Sequence, residues 1–276
     1  MEIALFFAMM LGTIPALLLR FYMLRSFEGM FDERSVMFAF VVGMVAGVIA
    51  GVVHVWTDGA TFYTYASAIV FFVIVWAFLD QFMRVIIFNS PRFSKDPDTT
   101  FYATAFGLGY GSMLTALWFY RSFVLIEGVA TNPWVIASYV GAAFAFAVVH
   151  GATGMLVGFG ATEGVVWRLG LMGVLIQVPL NIMWWLSLAT GLEAALPVWE
   201  VGAISMFVAA AYGLIVLRWT MGRIVPDLMP PETMRARRRE LRRHRRTARA
   251  PEPSGEGTSG EDETAAGTGS GDGAGQ

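Results

Sequence analysis

The sequence predicts an all-α fold: a polytopic membrane helix bundle of about seven transmembrane helices followed by a disordered C-terminal tail. Three observations predict it. Of 276 residues, 56% are hydrophobic and 14% are charged, which is the composition of a membrane protein. Apolar runs recur at lengths of about 20 residues, enough to cross a hydrocarbon core of about 30 Å, and runs that long suit helices and not barrel strands. Charge is also segregated, sparse up to Trp219 and dense beyond it, so the net charge of -2 hides two opposite patches. The absence of cysteine excludes a disulfide framework, a thiolate metal site and a cysteine nucleophile.

The seven stretches are Ile3 to Leu24, Ser35 to Trp56, Thr61 to Phe88, Thr100 to Tyr120, Pro133 to Ala161, Val165 to Thr190 and Ala194 to Trp219. The first follows Met1-Glu2 with no basic region before it and no small-residue cleavage site after it, so it is expected to stay as a helix. The second carries Gly43, Gly47 and Gly51 at four-residue intervals, a stripe that lets another helix approach closely. His54 follows near the outer end of that span, where it reads as a histidine bonded within the bundle or at the interface. The third carries Asp80-Gln81-Phe82-Met83-Arg84 late in its length.

The fourth follows Asp98 and contains Gly107, Gly109 and Gly111. The fifth sets Gly151, Gly154, Gly158 and Gly160 around His150, which gives close packing or room for a ligand. The sixth holds Gln177, Pro179 and Asn181 at mid-depth. Pro179 should kink the helix and free a carbonyl, which the two amides are placed to satisfy. Trp184, Trp185 and Trp199 read as an outer aromatic belt.

Basic residues set the expected orientation. Arg20, Arg25 and Arg34 flank the first connection, Arg92 and Lys95 the third, and Arg168 the fifth, against Arg121 alone near the others. This bias predicts a cell-membrane protein with its N-terminus outside and its C-terminus cytoplasmic. Residues 1–229 form the membrane domain, 230–250 an Arg-rich juxtamembrane segment and 251–276 an acidic, Gly/Ser-rich tail expected to be disordered. Nine arginines lie between Arg235 and Arg249, suited to anionic membrane lipid at about 1 kcal/mol each. No aromatic is interleaved among them, so no nucleic-acid partner is expected.

An acid and a base inside a membrane helix are costly and call for a reason. Asp80 precedes Arg84 by one turn, the order that favours an ion pair within one helix, and Arg84 lies deep enough in the span to snorkel to the far interface. With the helices alternating in direction, Asp80, His150, Gln177 and Asn181 fall at similar depths and are expected to form one buried polar cluster.

Four blocks carry a resemblance. Asp80-Gln81-x-x-Arg84 corresponds to an E-E-x-x-K motif. Asp98-Thr99-x-x-Tyr102, followed by Gly109-Tyr110-Gly111-Ser112-Met113-Leu114-Thr115, corresponds to D-G-x-x-Y and G-F-A-x-x-E-N. His150 with Gly158 matches a histidine followed by a spaced glycine, and Gln177-Val178-Pro179-Leu180-Asn181 an H-x-x-x-D/N block. In order and spacing these resemble the PrsW-type intramembrane metalloproteases, relatives of the group that includes CAAX-processing and bacteriocin-immunity membrane proteins. The likeness covers most of residues 12–185. It implies a helical membrane scaffold, catalytic-motif positions at Asp80, Gln81, Arg84 and His150, and binding positions at Asp98, Tyr102, Gln177 and Asn181. It also implies Asp80 and His150 as metal ligands, zinc if the site is active, and a membrane-anchored protein as substrate or regulator.

The chain departs from that chemistry at the positions that matter most. Such a site needs three His or carboxylate ligands and a carboxylate to activate water. Here the glutamate pair is Asp80 and Gln81, the glutamate of the second block is Leu114, and the histidine of the fourth is Gln177. Amides are poor zinc ligands, and Gln81 cannot act as a general base. The expectation is therefore a family-like membrane protein lacking peptidase activity, needing no cofactor, and binding membrane lipids or a membrane-anchored protein. Two alternatives stand beside it: an active metallopeptidase with an unusual Asp80/His150 site, and a small-solute or proton carrier using Asp80, Arg84 and His150 as a relay. Against the carrier, no inverted repeat is visible.

Overall fold

The computed structural model describes residues 2–61, 66–94, 96, 98–125, 132–189 and 198–228. The Arg-rich segment and the acidic tail lie outside the described residues. Seven helices follow in order: α1 (Glu2–Leu24), α2 (Glu33–Thr61), α3 (Ala66–Phe88), α4 (Thr99–Leu125), α5 (Pro133–Thr162), α6 (Val166–Ala189) and α7 (Val198–Leu228), with one short helical turn, Arg25–Phe27, after α1. No strand occurs among the described residues. Six of the seven are long and apolar enough to cross a membrane, so the chain is an all-α, multi-pass membrane bundle. The bundle forms one unit, Met1–Leu228.

Local signals explain the helix ends. Asp32 precedes α2 and accepts the Ser35 N–H at 3.0 Å and the Ser35 hydroxyl at 2.6 Å, which satisfies donors at a helix start. Asn132 does the same for α5, accepting the Trp134 N–H at 3.0 Å with Pro133 in the first helical position. At the other end of α5, Gly164 adopts a φ of +72°, and the Val165 N–H reaches back to the Gly160 carbonyl at 2.8 Å. That left-handed turn closes the helix and needs a residue without Cβ. Several expected boundaries move: α2 continues past Trp56 to Thr61, α3 begins at Ala66 instead of Thr61, α4 continues past Tyr120 to Leu125, and α7 runs from Val198 to Leu228 instead of Ala194 to Trp219. Within α2 the Thr57 hydroxyl donates to the Val53 carbonyl at 2.9 Å, so this polar residue is accommodated in the helix.

The helix that does not qualify as a span by composition is α4. It is buried along almost its whole length, so it faces other helices and not lipid, and its sequence is rich in small and hydroxyl side chains. Three of those hydroxyls are satisfied locally: Thr104 donates to the Thr100 carbonyl at 2.7 Å, Ser112 to Gly109 at 2.7 Å and Thr115 to Gly111 at 3.0 Å, whereas the Thr100 hydroxyl is buried without a partner among the protein groups. Its companion is α5, whose apolar window is 89% buried against 22–39% for the other five spans. The remaining helices surround this central pair: α1 and α2 pack chiefly on α4, α7 on α5, and α6 on both α5 and α7.

Glycines set these approaches. A Cβ at Gly43 would stand 2.1 Å from the Phe106 carbonyl oxygen and one at Gly47 2.4 Å from that of Tyr110, so the α2 stripe seats on α4 as its spacing predicts. Gly107 would meet the His150 carbonyl oxygen at 2.1 Å and Gly154 that of Ala103 at 2.2 Å. Gly151, Gly154 and Gly158 therefore serve the α4–α5 contact, while Gly160 faces Val166 and Leu169 of α6. Trp184 departs from the expected belt. It is buried, with its ring 5.5 Å from those of Trp118 and Phe146. It lies two turns beyond Gln177, on the inward stripe of α6. The Trp199 side chain is outside the described residues.

Candidate polar site at the centre of the bundle

Helical periodicity carries the charges inward. Val73, Ala77, Asp80, Arg84 and Phe88 fall at three- and four-residue steps on α3 and are all buried, so one stripe of the helix holds both the acid and the base. α3 packs mainly on α6 and comes only slightly against α4 and α5. Long side chains fill the space between α3 and the central pair.

Arg84 reaches across it. One terminal nitrogen donates to the Thr153 hydroxyl at 2.9 Å, the other is hydrogen-bonded to His150 Nδ1, and the guanidinium carbon lies 4.9 Å from the centre of the Tyr110 ring. A guanidinium can only donate, so His150 Nδ1 is the acceptor and the neutral ring carries its proton on Nε2. Asp80 turns to other partners. Its Oδ1 accepts from the Tyr110 hydroxyl, its Oδ2 accepts from Gln177 Nε2 at 2.5 Å, and His54 Nε2 stands 3.7 Å from Oδ1. Gln81 Nε2 donates to Gln177 Oε1 at 2.8 Å, so a chain of donors runs from Gln81 through Gln177 to Asp80. Gly173 makes room for it, since a Cβ there would come within 2.9 Å of Gln81 Oε1.

Five of the sequence-predicted residues thus meet: Asp80, Gln81, Arg84, His150 and Gln177. The expected ion pair within α3 does not form. Tyr110 comes between its members, with its hydroxyl on one and its ring face on the other. Asn181 does not complete the cluster; its amide donates to the Val73 carbonyl at 3.2 Å, tying α6 to α3 one turn away. Neither amide bonds a carbonyl in the turn before Pro179; there the Tyr212 hydroxyl from α7 donates to the Ile176 carbonyl at 2.8 Å, next to the Leu175 carbonyl whose helical donor the proline removes.

Asp98 and Tyr102 stand apart. They are bonded to each other at 3.3 Å, about 18 Å (Asp98) and about 12 Å (Tyr102) along α4 from Tyr110 at about 1.5 Å per residue. Burial, with Asp96 and then Asp32 nearby, holds the Asp98 carboxyl above its ordinary range. Four contributors were not legible as site residues. His54, expected near the outer end of its span, reaches Asp80 and stacks on Trp76 with ring centroids 3.6 Å apart. Tyr110 lay hidden among glycines in the second block. Trp76 and Thr153 follow from helical spacing, four residues before Asp80 and three after His150.

The donor set does not fit a catalytic metal. Among the described residues no group of three or more His, Cys, Asp or Glu side chains could hold one. His150 Nδ1 is taken by Arg84, whose fixed positive charge repels a metal cation beside that ring. Leu114 is buried in the core and offers no ligand atom. Comparison with protein-family models, with curated proteins and with solved structures finds no match.

Proposed function

We propose that this is a multi-pass membrane protein of PrsW-like scaffold without peptidase activity, in which a metal-free polar network holds the helices in register while the bundle binds membrane lipids or a membrane-anchored protein. The observation that carries the reading is the hydrogen bond from Arg84 to His150 Nδ1. A metallopeptidase needs an imidazole lone pair for its metal and a carboxylate free to take a proton from water. Here the Nδ1 lone pair is occupied, both Asp80 oxygens accept from neighbours, and the Gln81 amide is engaged with Gln177. What the network does well is join helices: Asp80, Gln81 and Arg84 on α3 meet His54 on α2, Tyr110 on α4, His150 and Thr153 on α5 and Gln177 on α6. Buried polar groups that bond across helices favour one packing over others, here with Arg84 Nε, His150 Nε2 and Gln81 Oε1 left without a partner among the protein groups.

Large apolar side chains such as Phe38, Trp56, Leu175 and Ile215 are exposed on the bundle's outer faces, consistent with a lipid partner. The excess of arginine at the ends of α1, α3 and α7 and the starts of α2 and α6 supports a cytoplasmic placement for that side of a cell-membrane protein, with the N-terminus outside. The test is cleavage of single-span membrane-anchored reporters by the protein in vesicles, with and without added zinc. The proposal expects intact reporters under both conditions; zinc-dependent cleavage lost in His150→Ala would overturn it.

A further inference from the structure

The geometry points to a side-chain gate: the stacked rings of His54 and Trp76 close a lateral route between α2 and α3 that leads from the bilayer to the polar cluster. Three observations converge on it. First, α2 seats on α4 and α3 on α6, and among the described residues α2 and α3 make little direct helix-to-helix contact; they meet through the ring stack, with centroids 3.6 Å apart and planes 28° apart, and through His54 Nε2, 3.7 Å from Asp80 Oδ1. Second, exposure falls inward from the stack. His54 retains 8% and Trp76 7%, Asp80 behind them 3%, Gln81 1%, and Arg84, His150 and Gln177 none. The residues beside the stack on its outer side, Val53, Trp56, Ile74 and Leu79, are exposed.

Third, the closed stack is polar but not hydrogen-bonded, with Asp80 Oδ1 3.7 Å from His54 Nε2. His54 Nε2 and Trp76 Nε1 are both buried with no hydrogen-bond partner among the protein groups, and such groups are costly to keep. A helix-to-helix seal would be built from apolar side chains and small residues, as it is between α2 and α4. Two heteroaromatic rings facing a buried carboxylate make a contact that can open and be re-formed without rearranging backbone. The cluster behind it also keeps polar atoms free, among them Arg84 Nε, His150 Nε2 and Gln81 Oε1, so a group entering by this route meets two donors and an acceptor. Approach is sideways from the bilayer. The gate does not depend on the absence of peptidase activity.

The natural absence of cysteine makes the test direct. Ala77→Cys places one thiol on the buried stripe of α3 between Val73 and Asp80, and its rate of reaction with N-ethylmaleimide is read in vesicles. The expected result is slow reaction in the otherwise intact protein, a rate roughly tenfold higher when Trp76→Ala removes the stack, and a slow rate kept by Trp76→Phe. His54→Ala provides a second opening variant. Ala147→Cys, on the fully buried face of α5, reports general loosening and should stay slow throughout. Unchanged Ala77→Cys reactivity in both opening variants would overturn the gate, as would equal acceleration at Ala147→Cys.

Discussion

Asp80 and Arg84 sit one turn apart on the same buried stripe of α3, yet Tyr110 divides them: its hydroxyl donates to the carboxylate while its ring lies 4.9 Å beneath the guanidinium. The acid and base are thereby bridged by an aromatic side chain from a neighbouring helix instead of touching directly. This lets each bind a different helix, α6 through Gln177 and α5 through His150.

Tyr110→Phe isolates the bridge. The ring and its cation contact stay, but a buried carboxylate loses a donor, which costs about 1.5–3 kcal/mol. Thermal unfolding in detergent should register a lower Tm, with Tyr110→Ala lower still because the ring is lost as well. An unchanged Tm for Tyr110→Phe would mean that the hydroxyl contributes nothing.

Arg84 and His150 should prove coupled. Arg84→Met leaves Asp80 without its nearby cation, and His150→Leu leaves the guanidinium without an acceptor. The two changes together should cost less than the sum of the single changes by about 1–3 kcal/mol. Strict additivity in a double-mutant cycle would place the two side chains in separate environments.

Close helix approach gives a contrast within one residue type. Gly107→Ala forces a Cβ to 2.1 Å from the His150 carbonyl oxygen, where backbone must move, and should destabilise by about 1–3 kcal/mol or more. Gly222→Ala meets nothing within 4 Å and should be neutral or stabilising by up to about 1 kcal/mol, since alanine favours the helix. Tm values of the two variants in one detergent decide it.

The pH dependence has opposite signs at two carboxylates in the connections before α2 and α4, Asp32 and Asp98. Burial and then Asp96 raise the Asp98 carboxyl above its ordinary value of 3.8, so the folded protein holds that proton more tightly than the unfolded chain. Stability from this group is present below 3.8 and is lost as pH rises through the raised folded value. Asp98→Asn should therefore raise Tm at neutral pH and give no such gain in acid. Asp32 is lowered by its hydrogen bonds to Ser35; its contribution is present above 3.8 and fades as pH falls through the lower folded value, so Asp32→Ala should lose stability at neutral pH only. Paired pH–Tm curves check both signs.

Much of this was legible in the sequence because membrane helices advertise themselves by length. The seven helices followed from span length, the Gly43–Gly47–Gly51 contact from four-residue spacing, and the meeting of Asp80, His150 and Gln177 from depth; Gln81 was singled out only by its motif position. Depth does not specify rotation, however. Helix rotation aims Asn181 at a backbone carbonyl of α3 instead of the cluster, and puts Trp184 in the core instead of a belt. Side-chain reach was equally hidden: nothing local says that Tyr110 will separate an acid from a base one turn away, or that His54 will extend to Asp80. The burial of α4 explains a further difference, since a helix enclosed by others has no need of a lipid-facing composition.

The central claim is that Arg84 holds His150 in a metal-free network, and metal content tests it most directly. Mass spectrometry of detergent-purified protein, wild type beside His150→Ala, should find no stoichiometric zinc or other transition metal in either. Near-stoichiometric zinc in the wild type that disappears with His150→Ala would contradict the account.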